Sequence, residues 1–239
     1  MNLDDHDLSR RIELLDRNGI DVALISLPPT MEVDGHEELV EAFCTGMLEV
    51  VEESGGRLRP LAYGECREGF AGACVSAAAV VDGLDPLLDQ LEAAGQMLFV
   101  HPGPPAALPP GAPRWWPAIA DYTAQMQAAY FAWIADGAKR HPNLRVVFAI
   151  LAGGAPFQLE RLRSRDPGST STHGNVFLDT ASYGRRALEL SLDAVGASRL
   201  VYGSDVPVIE SRPTLRALAD LGAEIEETVR RKNPTHLFA

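Results

Sequence analysis

Cations are scarce in this sequence: 21 Lys and Arg stand against 33 Asp and Glu, a formal charge of −12 with a sequence pI near 4.9. No basic stripe exists to neutralise phosphates, which argues against nucleic acid as a partner. Cysteine is scarcer still, and Cys44, Cys66 and Cys74 are an odd number without paired spacing, so no disulfide framework is expected. No run of about 18 apolar residues occurs that would read as a membrane span. The opening MNLDDHDLSRR is charged and lacks the apolar centre of a signal peptide. These absences together point to a cytoplasmic protein acting on a small molecule. Aromatic residues make up only 7%, yet 46% of the 239 residues are hydrophobic and 23% charged, a composition that supports one globular core.

The segments alternate between two periodicities. Near-continuous apolar runs predict strands at 20–27, 57–62, 74–77, 97–101, 145–150, 176–179 and 199–202. Between them, helical spacing covers 37–53, 84–94, 119–139, 157–163, 185–195 and the stretch from Thr214 onward. A first helix capped by Asp5 or Asp7 runs to Asn18 and stops at Gly19. Apolar strands alternating with helices are parallel strands covered on both faces. The expectation is one domain over 1–239, a TIM-like (β/α) barrel with seven of its eight strands. A barrel opens with a strand and this chain opens with a helix, so the first strand is expected to be missing. The edges of strands 20–27 and 199–202 would then lie exposed.

In a parallel barrel the working groups stand where strands end and βα loops begin. At those points lie Glu65 and Cys66, His101, Asp179-Thr180, and Ser204-Asp205. Each also has a plain structural reading. His101, before Pro102, can end a strand with its ring hydrogen-bonded. Asp179 can cap the turn through Thr180 and Ser182. Asp205, between Gly203-Ser204 and Pro207, is the hardest of the three to explain as packing. Cys66 has no His near it in sequence and is not read as a nucleophile.

Five stretches, RRIELLDRNGIDVALISLPP (10–29), FVHPGP (99–104), HPNLRVVFAILAGGAPF (141–157), FLDTASYG (177–184) and LVYGSDVPV (200–208), carry a resemblance over nearly the whole chain. They resemble the amidohydrolase-related branch of the amidohydrolase superfamily, which includes aminocarboxymuconate-semialdehyde decarboxylase. The resemblance implies a catalytic divalent metal, zinc or manganese, at the barrel mouth. It also implies His101 as the ligand closing the fifth strand and Asp205 as the ligand closing the eighth. The family's first-strand His-x-His pair has no counterpart, since the chain begins after that strand; His6, at an Asp-rich helix start, is no substitute. The family's sixth-strand His is Leu151 here. His101 and Asp205 are two ligands where a catalytic zinc normally has three plus water.

Trp115, Trp116, Tyr122 and Gln125 follow the His101 strand, where they would roof the mouth and suit a flat substrate; packing of the loop, or of a second subunit, explains the tryptophans equally. Tyr183 is a further substrate-side candidate. Arg161 and Arg163 can meet a carboxylate or simply be solvated. Gly153-Gly154 permits a tight turn that could offer N–H groups to an anion, and His141 reads as a helix C-terminal cap. The implied function is hydrolysis or non-oxidative decarboxylation of a small cyclic or aromatic carboxylic acid, with Asp205 moving the proton and His101 beside it. Two alternatives stand beside it: a barrel that binds a ligand without turnover, and a metal-independent enzyme using Asp205 and His101 as an acid–base pair. A homodimer is the expected assembly.

Overall fold

A computed structural model describes residues 7–169 and 174–238. Asp5 and His6 lie outside the described residues. Helix α1 (Leu8–Asn18) is capped by Asp7, whose carboxylate accepts the Ser9 and Arg10 N–H groups, and it ends at Gly19. Seven strands follow: β1 (Ala23–Ser26), β2 (Leu58–Tyr63), β3 (Gly72–Ser76), β4 (Met97–His101), β5 (Val146–Phe148), β6 (Val176–Asp179) and β7 (Leu200–Val201). All are parallel and each pairs with its sequence neighbours in the order β1 to β7, with β1 and β7 at the two edges. This is a seven-stranded, open form of the TIM-like barrel.

The departures from the sequence reading have local causes. Ser76 caps α3 (Ala77–Asp82), its Oγ accepting the Ala79 N–H at 3.2 Å, so Ala77 belongs to a helix rather than to the preceding strand. The helix expected at 119–139 is α5 (Tyr122–Ala132) flanked by two wide π-helical turns, Pro117–Asp121 and Trp133–Gly137. Ile150 is not in β5 at all; it opens a left-handed turn.

Strand parity sorts the side chains onto two faces. Leu61, Cys74, Met97, Val147, Phe177 and Val201 meet on the inner face. Ala73, Leu98, Val100, Phe148 and Leu178 point the other way, against Leu88 and Leu91 of α4 (Asp85–Ala94) and Met126 and Tyr130 of α5. The same parity carries His101 and Asp179 to the inner face, at the rim where the strands end. Leu237 joins the inner cluster, His236 lies 6.1 Å from Phe177 ring to ring, and the Arg59 guanidinium sits 4.9 Å over the Phe238 ring. The C-terminal residues thus fill the inner face at the end opposite the polar rim.

The edge of the 199–202 strand, expected to be open, is occupied. Asn233 Nδ2 donates to the Leu200 carbonyl at 2.7 Å, and the Tyr202 N–H donates to the Val229 carbonyl at 3.2 Å. A side-chain amide and a backbone carbonyl from the C-terminal helical region therefore take the place of a partner strand there. The same region reaches α1: Arg230 Nη2 donates to the Asn18 and Gly19 carbonyls at 2.8 and 2.9 Å, and Asn18 Nδ2 donates to Ser211 Oγ at 3.1 Å.

Candidate active site

His101 ends β4 with its ring half-buried. Its Nδ1 lies 2.9 Å from the Pro102 carbonyl, which fixes Nδ1 as the protonated nitrogen and leaves Nε2 as the acceptor. Burial holds the imidazole below its ordinary pKa, so it is neutral at pH 7. Gln125 of α5 fastens the loop that follows: its Oε1 accepts the Gly103 N–H at 2.8 Å, while its Nε2 donates to the Pro104 carbonyl and to Asp121. Gln125, expected to roof the mouth, anchors the loop instead.

Asp205 follows β7 on a backbone turned to φ 53, a left-handed conformation that aspartate tolerates better than most residues. Its side chain reaches solvent, yet surrounding protein pushes the carboxyl up to about 6. Asp179, at the end of β6, is buried. Desolvation is the main cause that raises its carboxyl to about 7; the charge of Asp205 adds to this, against two N–H donors that favour ionisation. Those donors are Ala181 and, from the neighbouring strand exit, Ile150, each 3.0 Å from the same oxygen, Oδ1. Asp179 does cap its own turn, through Ala181 between Thr180 and Ser182, and the Ile150 N–H adds a donor from outside that loop. Thr180 Oγ1 accepts the Gly203 N–H at 3.3 Å. A Cβ on Gly203 would lie 2.7 Å from the Asp179 Cγ, so only glycine lets the β7 exit pass this carboxyl.

The segment 150–154, where the resemblance implied a histidine, is a left-handed turn. Ile150, Leu151, Ala152, Gly153 and Gly154 stand at φ 47, 49, 51, 64 and 80. An L-residue there costs roughly 1–2 kcal/mol, so the first three together cost on the order of 3–6 kcal/mol. Strain of this kind persists only where the surroundings over-determine it. Ile150 is tied to Asp179, and Gln127 Nε2 donates to the Gly153 carbonyl at 2.7 Å. Leu151 itself is buried at 1% exposure and belongs to the helix-side core, so no polar group replaces the histidine from this position.

Trp115 and Trp116 stack on each other, ring centroids 6.0 Å apart at 26°, on the loop before the Pro117–Asp121 turn. Trp115 is 56% exposed; with Ile119, Phe157 and Val208, also exposed, it gives the loops after β4, β5 and β7 an apolar surface. Tyr122 is half-buried at the start of α5. Tyr183 packs against the helix-side core, and its carbonyl accepts from Thr214 Oγ1. Arg161 and Arg163 are exposed on the helix Leu159–Arg165. His141 ends the helical stretch, its N–H on the Gly137 carbonyl and its buried ring stacked on Trp133.

Glu65, beyond the end of β2, turns toward the helix at 37–53. It lines a separate hollow of about 300 Å³ with Asp34, Glu37, Glu41, Val33, Val40 and Tyr63, and it pairs with Arg67 at 3.0 Å. Tyr63 donates to Asp34 at 2.9 Å. Four carboxylates make that hollow unfit for an anionic substrate. Cys66 lies with its Sγ 3.5 Å from Gln96 Oε1.

Among the described residues no three His, Cys, Asp or Glu side chains converge where a metal ion could sit. His101 and Asp205 are two donors, and Asp179 spends its Oδ1 on backbone. These donors do not by themselves fit a divalent metal.

The amidohydrolase family model matches residues 11–239. The chain belongs to the amidohydrolase family. Among solved structures this amidohydrolase is similar to the Metarhizium anisopliae IDCase, at 18% identity and a TM-score of 0.80, covering 97% of this chain and 78% of that one. It is similar to the 5-carboxyvanillate decarboxylase of Novosphingobium aromaticivorans, complexed with manganese and 4-hydroxy-3-methoxy-5-nitrobenzoic acid, at 19% identity and a TM-score of 0.75, covering 97% and 80%. A third is 2,6-dihydroxybenzoate decarboxylase from Rhizobium, at 15% identity and a TM-score of 0.74, covering 95% and 87%. Among the described residues of the amidohydrolase no helix is long and apolar enough to cross a membrane.

Proposed function

We propose that this amidohydrolase removes carbon dioxide, without oxidation, from a small aromatic carboxylic acid. The observation that carries the reading is Asp205: a solvent-exposed carboxyl at the β7 exit, raised to about 6, is half protonated at pH 6, where an ordinary carboxyl has given up its proton. In the reaction Asp205 gives that proton to the ring carbon bearing the substrate carboxylate. The bond from that carbon to the carboxylate breaks, its electron pair stays on the ring, carbon dioxide leaves, and water returns a proton to Asp205. His101 offers Nε2 to a substrate hydroxyl, and Trp116, Trp115 and Tyr122 cover the flat ring. Tyr183 supports this cover from behind the β6 exit. The decarboxylases among the structural neighbours support this chemistry over hydrolysis. We place the protein in the cytoplasm as a homodimer with one barrel per chain.

Offered 2,6-dihydroxybenzoate or 5-carboxyvanillate, the wild-type chain is expected to release carbon dioxide, and Asp205→Asn to release it about 10²–10⁴-fold more slowly. Trp115→Ala should weaken acid binding by about threefold to tenfold, the range of one aromatic contact. A zinc or manganese ion would need donors beyond His101 and Asp205. Metal content of tag-free protein tests this: close to one ion per chain, lost in His101→Ala, adds a metal to the site, whereas a metal-free active chain leaves the work to Asp205 and His101. The buried Leu151 favours a second reading, a barrel that binds an aromatic acid without turnover. Binding of both acids with no carbon dioxide above the buffer rate would select it.

A further inference from the structure

The exits of β5, β6 and β7 are joined by side chains from one dipeptide. Asp179 reaches back to the β5 exit through the Ile150 N–H and forward along its own loop through the Ala181 N–H, both on Oδ1 at 3.0 Å. Thr180, fully buried, reaches the other way and takes the Gly203 N–H on its Oγ1, two residues before Asp205. The Thr180 N–H donates to the Val201 carbonyl at 3.0 Å, which locks the dipeptide to β7 as well. Gly203 closes the arrangement, because its bare Cα lies flat against the Asp179 carboxyl.

A residue that served only its own loop would not need the Ile150 contact, which crosses 29 positions of sequence. That contact lands on the first residue of the left-handed turn, a β-branched Ile at φ 47, the residue type least suited to such a backbone. We propose that Asp179 and Thr180 are a positioning pair: Asp179 holds the left-handed turn 150–154 in place, and Thr180 holds the segment that carries Asp205. The consequence for ligand binding rests on the function proposed above; the clasp itself does not. What Asp179 supplies is an acceptor oxygen, so a carboxamide can replace it and a methyl group cannot.

The test compares wild type, Asp179→Asn, Asp179→Ala and Gly203→Ala by residue-resolved amide hydrogen exchange and by calorimetric binding of 2,6-dihydroxybenzoate. In Asp179→Ala the Ile150 and Ala181 amides should exchange about tenfold faster or more, with Phe148 unchanged, as expected for losing a hydrogen bond to a buried group. Asp179→Asn should restore protection and acid affinity together. Gly203→Ala, which pushes a methyl against the carboxyl, should expose the same two amides, and it answers the question if the Asp179→Ala chain does not fold. Unchanged protection in Asp179→Ala or Gly203→Ala, or an Asn variant as fast as the Ala variant, overturns the proposal. If the wild type does not bind the acid, the reading of the site fails, and the exchange pattern alone decides the clasp.

Discussion

Asp179→Asn should make this protein more stable than wild type at pH 8 and leave it near wild type at pH 4. The Asp179 carboxyl is raised in the folded chain to about 7, above the ordinary value of 3.8 that it has when unfolded. Between those values the folded state keeps a proton that the unfolded state has released. Stability is therefore fully present below pH 3.8 and is lost as pH rises through 7. Three pH units at about 1.4 kcal/mol each make the loss roughly 4 kcal/mol, an amount that a neutral asparagine does not forfeit. Urea unfolding midpoints at half-unit steps from pH 4 to pH 8, with chelator present, would display the slope in wild type and its absence in the variant. Parallel curves for the two proteins would mean that Asp179 is ionised throughout the range. Asp205 is also raised, but solvent reaches it, so its share of the slope is small.

The second large effect comes from the turn after β5. Gly153→Ala should lower stability by roughly 3 kcal/mol or more, because a left-handed backbone and a collision coincide there. Gly153 stands at φ 64, and a Cβ on it would lie 2.2 Å from the Thr123 carbonyl oxygen of α5, a backbone atom that cannot swing aside. Gly154 is the control. It stands at φ 80 with nothing within 4 Å of an added Cβ, so Gly154→Ala costs only the backbone preference, about 1–2 kcal/mol. For a chain of this size the melting temperature should fall by about 6–12 °C or more in the first variant and about 2–8 °C in the second. Equal shifts would show that α5 moves away from the turn.

These two positions also mark how far the sequence can be read. The barrel was legible because its strands are buried on both faces and so appear as apolar runs, and the polar residue ending the run 97–101 marked His101 as a strand exit. Ile150 misled for the same reason: a β-branched residue after Val-Val-Phe-Ala extends a strand in any local reading. Only Gly153-Gly154 signalled a turn, and nothing local showed that it starts three residues earlier. Asp179 was visible as a polar strand exit, but its partner Ile150 is 29 residues away, and a cross-strand hydrogen bond leaves no spacing to detect. The covered edge of β7 was hidden likewise, since Asn233 lies inside the stretch read only as helical from Thr214 onward, and nothing there marks it as a donor to the Leu200 carbonyl. Glu65 was singled out correctly as a strand-exit acid, yet Arg67, two residues on, draws it into the acidic hollow.

The seating of His236, Leu237 and Phe238 against Phe177 and Arg59 governs how the protein can be handled. Anything bulky introduced at Leu237, which is buried in the inner cluster, pulls a stopper from the floor of the barrel. Attachments belong on α2 (Glu37–Glu53), whose outer surface carries exposed Glu38, Leu39 and Glu49 and takes no part in the rim.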